Sequence, residues 1–347
     1  MSTPDKNRAP PLETDGMRLP RRKLLAPLLL LAALALVPTL AQTFDNPFLI
    51  RLFTRVIILA ITAVALNFVL GFGGLVSLMH AGLFGIGAYT VAILSFHDFN
   101  AQPLLLGWTG TSNLAVSGPL AILAAAGAAL LAGLVCLRTT GTYFIMITLA
   151  FNQMLYYFFV ALQEYGGDDG LQILGTIDFA GFDVTRRVTF YYVCLGTLAV
   201  VIGLFTRIVG SRFGTILRAT AQNERRTIAL GIPPLRYKLA AFTLSGAVAG
   251  LAGALWATGQ GFVSPADMAW TRSGDLVVMA VLGGMSSVWA PVIGAAAFLV
   301  LQSFLSGWTV FWQLPLGLLI IFTIVLLRGG LVDFAGRLRA LLPGGRR

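Results

Sequence analysis

Apolar stretches of about 20 residues recur along this chain, each enough to cross ~30 Å of hydrocarbon as a helix. The first runs from Leu24 to Leu40, behind Arg21-Arg22-Lys23. Ile50–Leu70, Leu75–Phe96, Ala115–Leu137, Tyr143–Leu162 and Val188–Phe205 follow, with only short polar turns or a glycine run (Gly71-Phe72-Gly73-Gly74) between some of them. After a long polar passage come Leu239–Thr258, then Leu276–Ala290 and Val292–Leu305 on either side of Pro291, and Trp312–Leu327. No ten-residue alternating pattern of a membrane barrel is present. The pattern predicts an all-α, polytopic helical membrane protein with about ten transmembrane helices. The opening stretch resembles a signal peptide ending at Thr39-Leu40-Ala41, but the reading adopted is a retained first span.

The polar passage, Arg207 to Lys238, carries seven basic residues against the single acid Glu224. A basic loop between spans belongs on the cytoplasmic side. Its interior reads as two short helices. Asn223 can cap the second, Ile228, Ala229 and Leu230 give it an apolar edge, and Gly231 with Pro233 and Pro234 stops it. Two apolar-edged turns outside the bilayer need a docking partner.

Composition agrees: 57% of the 347 residues are hydrophobic, 11% are charged, and the mean hydropathy is +0.84. The net charge of +10 comes mostly from three clusters, residues 6–23, 207–238 and 328–347. Topology accounts for such clusters without nucleic acid, and binding to membrane lipids follows from them. The domains expected are a polar cytoplasmic tail (1–23), a transmembrane region (24–330) holding the loop at 210–238, and a basic cytoplasmic tail (331–347). With tail and loop inside, four crossings after the loop return the C-terminus to the cytoplasm and three do not, hence ten. The segment from Glu164 to Arg187, with Asp168, Asp169, Asp178 and Asp183, is the external acidic part. Cys136 and Cys194 read as small buried apolar residues. Trp256, Trp270, Trp289, Trp308 and Trp312 fall near span ends, where headgroup-level rings belong. Gly246, Gly250 and Gly253 suit close helix packing. A faint echo relates Gly73-Gly74…Gly87 to Gly283-Gly284…Gly294 and suggests a duplicated half.

In order along the chain, LNFVLGFGGLVSLMHAGLFGIGAYT (Leu66–Thr90), TLAFNQM (Thr148–Met154), GGDDGL (Gly166–Leu171), LRATAQNERRTIALGI (Leu217–Ile232), GQGFVSP (Gly259–Pro265), VLGGMSSVWAPVIGAA (Val281–Ala296) and LRGGLVD (Leu327–Asp333) resemble the LivH/LivM family, the permeases of branched-chain amino-acid ABC importers. The long N-terminal extension and the RYKL ending of the loop resemble the LivM type. The resemblance implies a bacterial inner-membrane subunit working with a second permease subunit, two cytosolic ATP-binding subunits and a periplasmic substrate-binding protein. It also implies that the loop couples to the ATPase, through Arg218, Asn223, Glu224, Arg225, Arg226, Ile228, Leu230 and Gly231. One departure stands out: the acid usual six residues before the loop glycine is here Arg225, with Glu224 one place earlier.

Candidate chemistry is sparse. No GxxxxGK[ST] occurs, and Lys6, Lys23 and Lys238 follow no glycine, so ATP use must be borrowed. No cofactor or metal site is expected, and no nucleophile, acid–base pair or metal set points to an enzyme. Ser77, His80, Phe84 and Ala88 share one helical face, which reads either as a translocation lining or as an interhelical hydrogen bond from a neutral His80. Asn67 and Asn152 can line a path or join helices, and Gly87 is expected to project into the path beside His80. Asp275, just past Ser273, reads as a helix start with its N-cap. A neutral lining suits a zwitterionic aliphatic amino acid. Relatives serving urea, amides or aromatic acids are the alternative, and a self-sufficient secondary transporter is a rival that lacks coupling charges here.

Overall fold

The computed structural model describes residues 21–101, 103, 109–173, 186–308, 311–326 and 330–331. The polar tail before Arg21, Asp178, Asp183 and the basic tail beyond Leu331 lie outside the described residues. Thirteen α-helices appear among them: α1 (Arg21–Ala35), α2 (Val37–Thr43), α3 (Pro47–Asn67), α4 (His80–Phe99), α5 (Leu114–Cys136), α6 (Thr142–Ala161), α7 (Arg187–Val209), α8 (Arg212–Gln222), α9 (Glu224–Ala229), α10 (Pro234–Gln260), α11 (Trp270–Gly283), α12 (Ala290–Trp308) and α13 (Gln313–Leu326). The only strands among the described residues are β1 (Leu171–Gln172) and β2 (Phe262–Val263), an antiparallel pair. Among the described residues, eight segments are long and apolar enough to cross a membrane. The two that complete the expected ten, α11 and α13, have 14 residues each.

At the centre lies α3, whose residues from Val56 to Asn67 are buried throughout. A helix that is apolar all round has no polar face to give to solvent, so neighbours must surround it. It packs against α7, α10, α11 and α12. The α10 glycines allow the tightest approach: a side chain at Gly246 would meet Ala129, one at Gly250 would meet Ala125, and one at Gly253 would strike the Phe84 carbonyl. The expected close-packing face is therefore present, with α4 and α5 both seated on α10. The rim is apolar and exposed at Leu123, Leu131, Met146, Tyr157 and Phe322. Hydrocarbon or a second membrane subunit would satisfy it, where water would not.

Two spans depart from the sequence pattern. Leu75–Phe96 was expected to be helical from its start, but α4 begins only at His80. After Asn67 the chain makes a π-helical turn (Phe68–Phe72) and stops at Gly74, which has φ +66°. The Leu75 amide then bonds back to the Val69 carbonyl at 3.1 Å, closing the helix end. Residues 73–79 run non-helically, with Leu75, Ser77 and Met79 buried and Gly74 exposed. The second departure is at Pro291, expected to divide the later apolar passage. The break lies earlier, from Gly284 (φ +116°) to Trp289, and Pro291 sits in the first turn of α12, where its missing N–H costs nothing.

Candidate functional site

A helix that starts inside a membrane protein exposes four N–H groups with no water to receive them. At the start of α4 other helices supply the acceptors. The Ala81 amide donates to Ser273 Oγ on α11 at 3.1 Å, and the Gly82 amide to Asn152 Oδ1 on α6 at 2.7 Å. Asn152 also donates from Nδ2 to the Met268 carbonyl at 2.8 Å, and the Leu78 amide reaches Thr148 Oγ1 at 3.2 Å. Ser77 caps its own turn, accepting from the Met79 amide at 3.2 Å. Ser273 was expected to cap its own helix. It lies instead in the first turn of α11, which begins at Trp270, and its hydroxyl is given to α4.

His80 is 0% exposed and bonds through Nε2 to Ser245 Oγ on α10 at 2.8 Å. Ser245 donates its own proton to the Ala65 carbonyl at 2.5 Å, so it accepts from His80, and Nε2 carries the proton. His80 Nδ1 is left without a partner among the described residues. One serine thus joins α3, α4 and α10 at the depth of the broken helix. Phe84 lies edge-on to Trp256 at 5.9 Å. Trp256 is four residues from the end of α10, near a span end as expected, but at 4% exposure its ring is covered by protein.

Gly87 corrects another expectation. It does not project into a path: a side chain there would strike the Gly250 backbone of α10. Asn67 stands apart from the α4 cluster and joins the two breaks instead, donating from Nδ2 to the Ser287 carbonyl at 3.0 Å. A side chain at Gly71 would meet Met285, so these irregular segments touch. Ser77, His80, Phe84 and Asn152 are therefore brought together around the start of α4, and Asn67 ties the α3 end to the second break. Sequence reading missed Thr148, Ser245 and Ser287, and gave Ser273 a different role. Ser245 beside Gly246 was a detectable signal, a hydroxyl on a small-residue face.

The basic loop folds as expected into α8 and α9. Asn223 caps α9 by accepting from the Arg226 amide at 3.0 Å, and Gly231 (φ +79°) follows it. Leu217, Thr220 and Thr227 face inward, while Ile228 and Leu230 are 57% and 73% exposed beside exposed Arg225 and Arg226. Arg218 is turned to its own chain, donating to the Val209 carbonyl at the end of α7 (3.2 Å) and to the Gly214 carbonyl (3.3 Å). Glu224 pairs with Lys238 at the start of α10, at 2.7 Å. That acid therefore fixes α9 to the bundle.

The described residues hold no cluster of His, Cys, Asp and Glu suited to a metal ion. Comparison with known proteins agrees with the architecture. A family model described as branched-chain amino acid transport system / permease component matches residues 48–327. Two relatives, the high-affinity branched-chain amino acid transport system permease proteins LivM of Salmonella typhimurium and Escherichia coli, are each 32% identical over 298 residues. Those alignments cover 78% of this chain and 67% of each relative. No solved structure matches. The chain belongs to the family of permease components of branched-chain amino acid transport systems.

Proposed function

We propose that this chain is the LivM-type membrane subunit of an ATP-driven importer that moves branched-chain amino acids inward across a bacterial inner membrane. It works with a second permease subunit, two cytosolic ATP-binding subunits and a periplasmic substrate-binding protein, its termini and the α8–α9 module facing the cytoplasm. The observation that carries this reading is the module itself. Ile228 and Leu230 are exposed on a short capped helix held outside the apolar bundle, in a chain without a P-loop. An apolar edge with a basic flank is a docking feature, and the missing motor is what it would dock to.

We place the route beside the α4 start and the Asn67–Ser287 junction, where two stretches of non-helical backbone and neutral polar side chains meet toward the α8–α9 end of the bundle. Asn67, Ser77, His80, Phe84 and Asn152 are its neutral walls, and Gly87 takes no part. The test is reconstitution in vesicles with the four partner subunits and ATP inside. Leucine, isoleucine and valine should accumulate, lysine should not, and Ile228→Asp should abolish substrate-stimulated ATP hydrolysis. Uptake without any ATP-binding subunit would instead support a self-sufficient carrier.

A further inference from the structure

The three basic clusters leave Arg51, Arg55, Arg138, Arg186, Arg187 and Arg272 unaccounted for. Three of these, Arg51, Arg55 and Arg187, line one cavity of about 670 Å³ at the end of the bundle opposite α8–α9. It opens between the first turns of α3 and α7 and the last turns of α10 and α12. The rule that gathers basic residues on the cytoplasmic side does not call for them here.

The back wall is built. Trp256 donates from Nε1 to Asp267 Oδ2 at 3.1 Å, and Asp267 Oδ1 accepts from Arg272 Nη2 at 3.1 Å. The indole so fixed has the Arg55 guanidinium 5.5 Å from its ring centre and that of Arg272 at 5.3 Å. Asp267 pairs with Arg272, and its charge also acts on Arg55 without forming an ion pair with it. Arg51, Arg55 and Arg187 make no ion pair among the described residues, and no carboxylate lines the cavity. The remaining walls combine aromatic rings (Phe48, Phe190) with neutral polar groups (Gln260, Gln302, Ser303).

We propose that this cavity is the receiving site for the carboxylate of the cargo, with Arg55 as the fixed donor and Arg51 and Arg187 as flanking charges. A guanidinium presents paired donors that match a carboxylate, and orientation by Trp256 reduces the freedom lost on binding. The amide and hydroxyl oxygens can accept from an ammonium group, and the rings can cover an aliphatic side chain. A cationic cargo meets three like charges at this mouth. The inference rests on the amino-acid importer reading above.

Arg51, Arg55 and Arg187 are changed singly to Gln in the complete complex, so that loss of assembly in one still leaves two that report. Leucine uptake into vesicles is followed against the concentration of leucine-loaded binding protein. The expected result is a fall of about tenfold in the maximal rate for Arg55→Gln, with unchanged half-saturation by the loaded protein and partial recovery in Arg55→Lys. A shift in half-saturation alone would make the arginines a docking contact for the binding protein and overturn the proposal. So would variants that differ from wild type only by losing a dependence on phosphatidylglycerol over phosphatidylcholine, which would mark a lipid phosphate as the occupant. Variants transporting as wild type would overturn it too. A wild-type complex that moves no amino acid at all would instead remove the importer reading itself.

Discussion

Gly87 and Asn152 show what a single residue can decide at membrane depth. Gly87 lies so close to the Gly250 backbone that even a methyl group requires α4 and α10 to separate. Gly87→Ala should therefore lower the melting temperature of the purified complex by several degrees and reduce its yield, an overpacking cost of roughly 1–3 kcal/mol. A Gly87→Ala complex with wild-type melting and blocked transport would restore the path reading. Asn152 satisfies two backbone groups at once, the Gly82 amide and the Met268 carbonyl. Asn152→Leu leaves both buried without partners, at about 1–3 kcal/mol for each. Thermal unfolding should shift further for Asn152→Leu than for Tyr157→Leu on the exposed face of the same helix. The residues themselves were legible as polar groups in apolar surroundings. Their partners were not, because Asn152 and Gly82 are 70 positions apart in sequence and no local spacing signals the pairing.

At the scale of elements, what depends on neighbouring residues was readable and what depends on tertiary satisfaction was not. The cap and stop of α9 follow from side chains and φ preferences within a few positions, so Asn223 and Gly231 announced it correctly. The segment 73–79 is apolar enough to read as helix. It is unwound because Thr148, Asn152 and Ser273, from two other helices, accept its amide protons and those of the α4 start. Pro291 drew the predicted break toward itself, although a proline in a helix's first turn interrupts nothing. The short α9 lets the proposed coupling role be tested apart from folding. Ile228→Pro removes a hydrogen bond inside a six-residue helix at ~3 kcal/mol, outside the membrane bundle. The complex should still be extracted intact and melt near the wild-type temperature, while substrate-stimulated ATP hydrolysis disappears. Normal stimulation in that variant would exclude α9 from coupling.

For the whole molecule, the sequence pattern expects ten spans, while eight segments among the described residues are long and apolar enough to cross, and α11 and α13 have only 14 residues each. Contacts supply what length does not. The Gly294 backbone lies against Met279 and Gly283, so α12 turns back along α11 from the second break, and Gly330 beyond α13 returns to Gly284 at that same break. Gly74, at the first break, meets Ala221 of α8. The first break and the basic module thus share one end, while the Arg51–Arg187 cavity and the Asp168–Asp169 turn belong to the other. Which end faces the cytoplasm is argued from charge alone: a loop with seven basic residues and one acid should stay inside. Single cysteines at Asp168 and Asn223 test it, in a chain whose buried Cys136 and Cys194 are replaced by alanine. Both positions are exposed, so each thiol should react readily wherever reagent reaches it. In intact cells with a permeable outer membrane, an impermeant maleimide should label Asp168→Cys, and Asn223→Cys only after the inner membrane is opened. Labelling in the opposite order would invert the molecule in the bilayer, putting α9 on the side where no ATP-binding subunit could reach it.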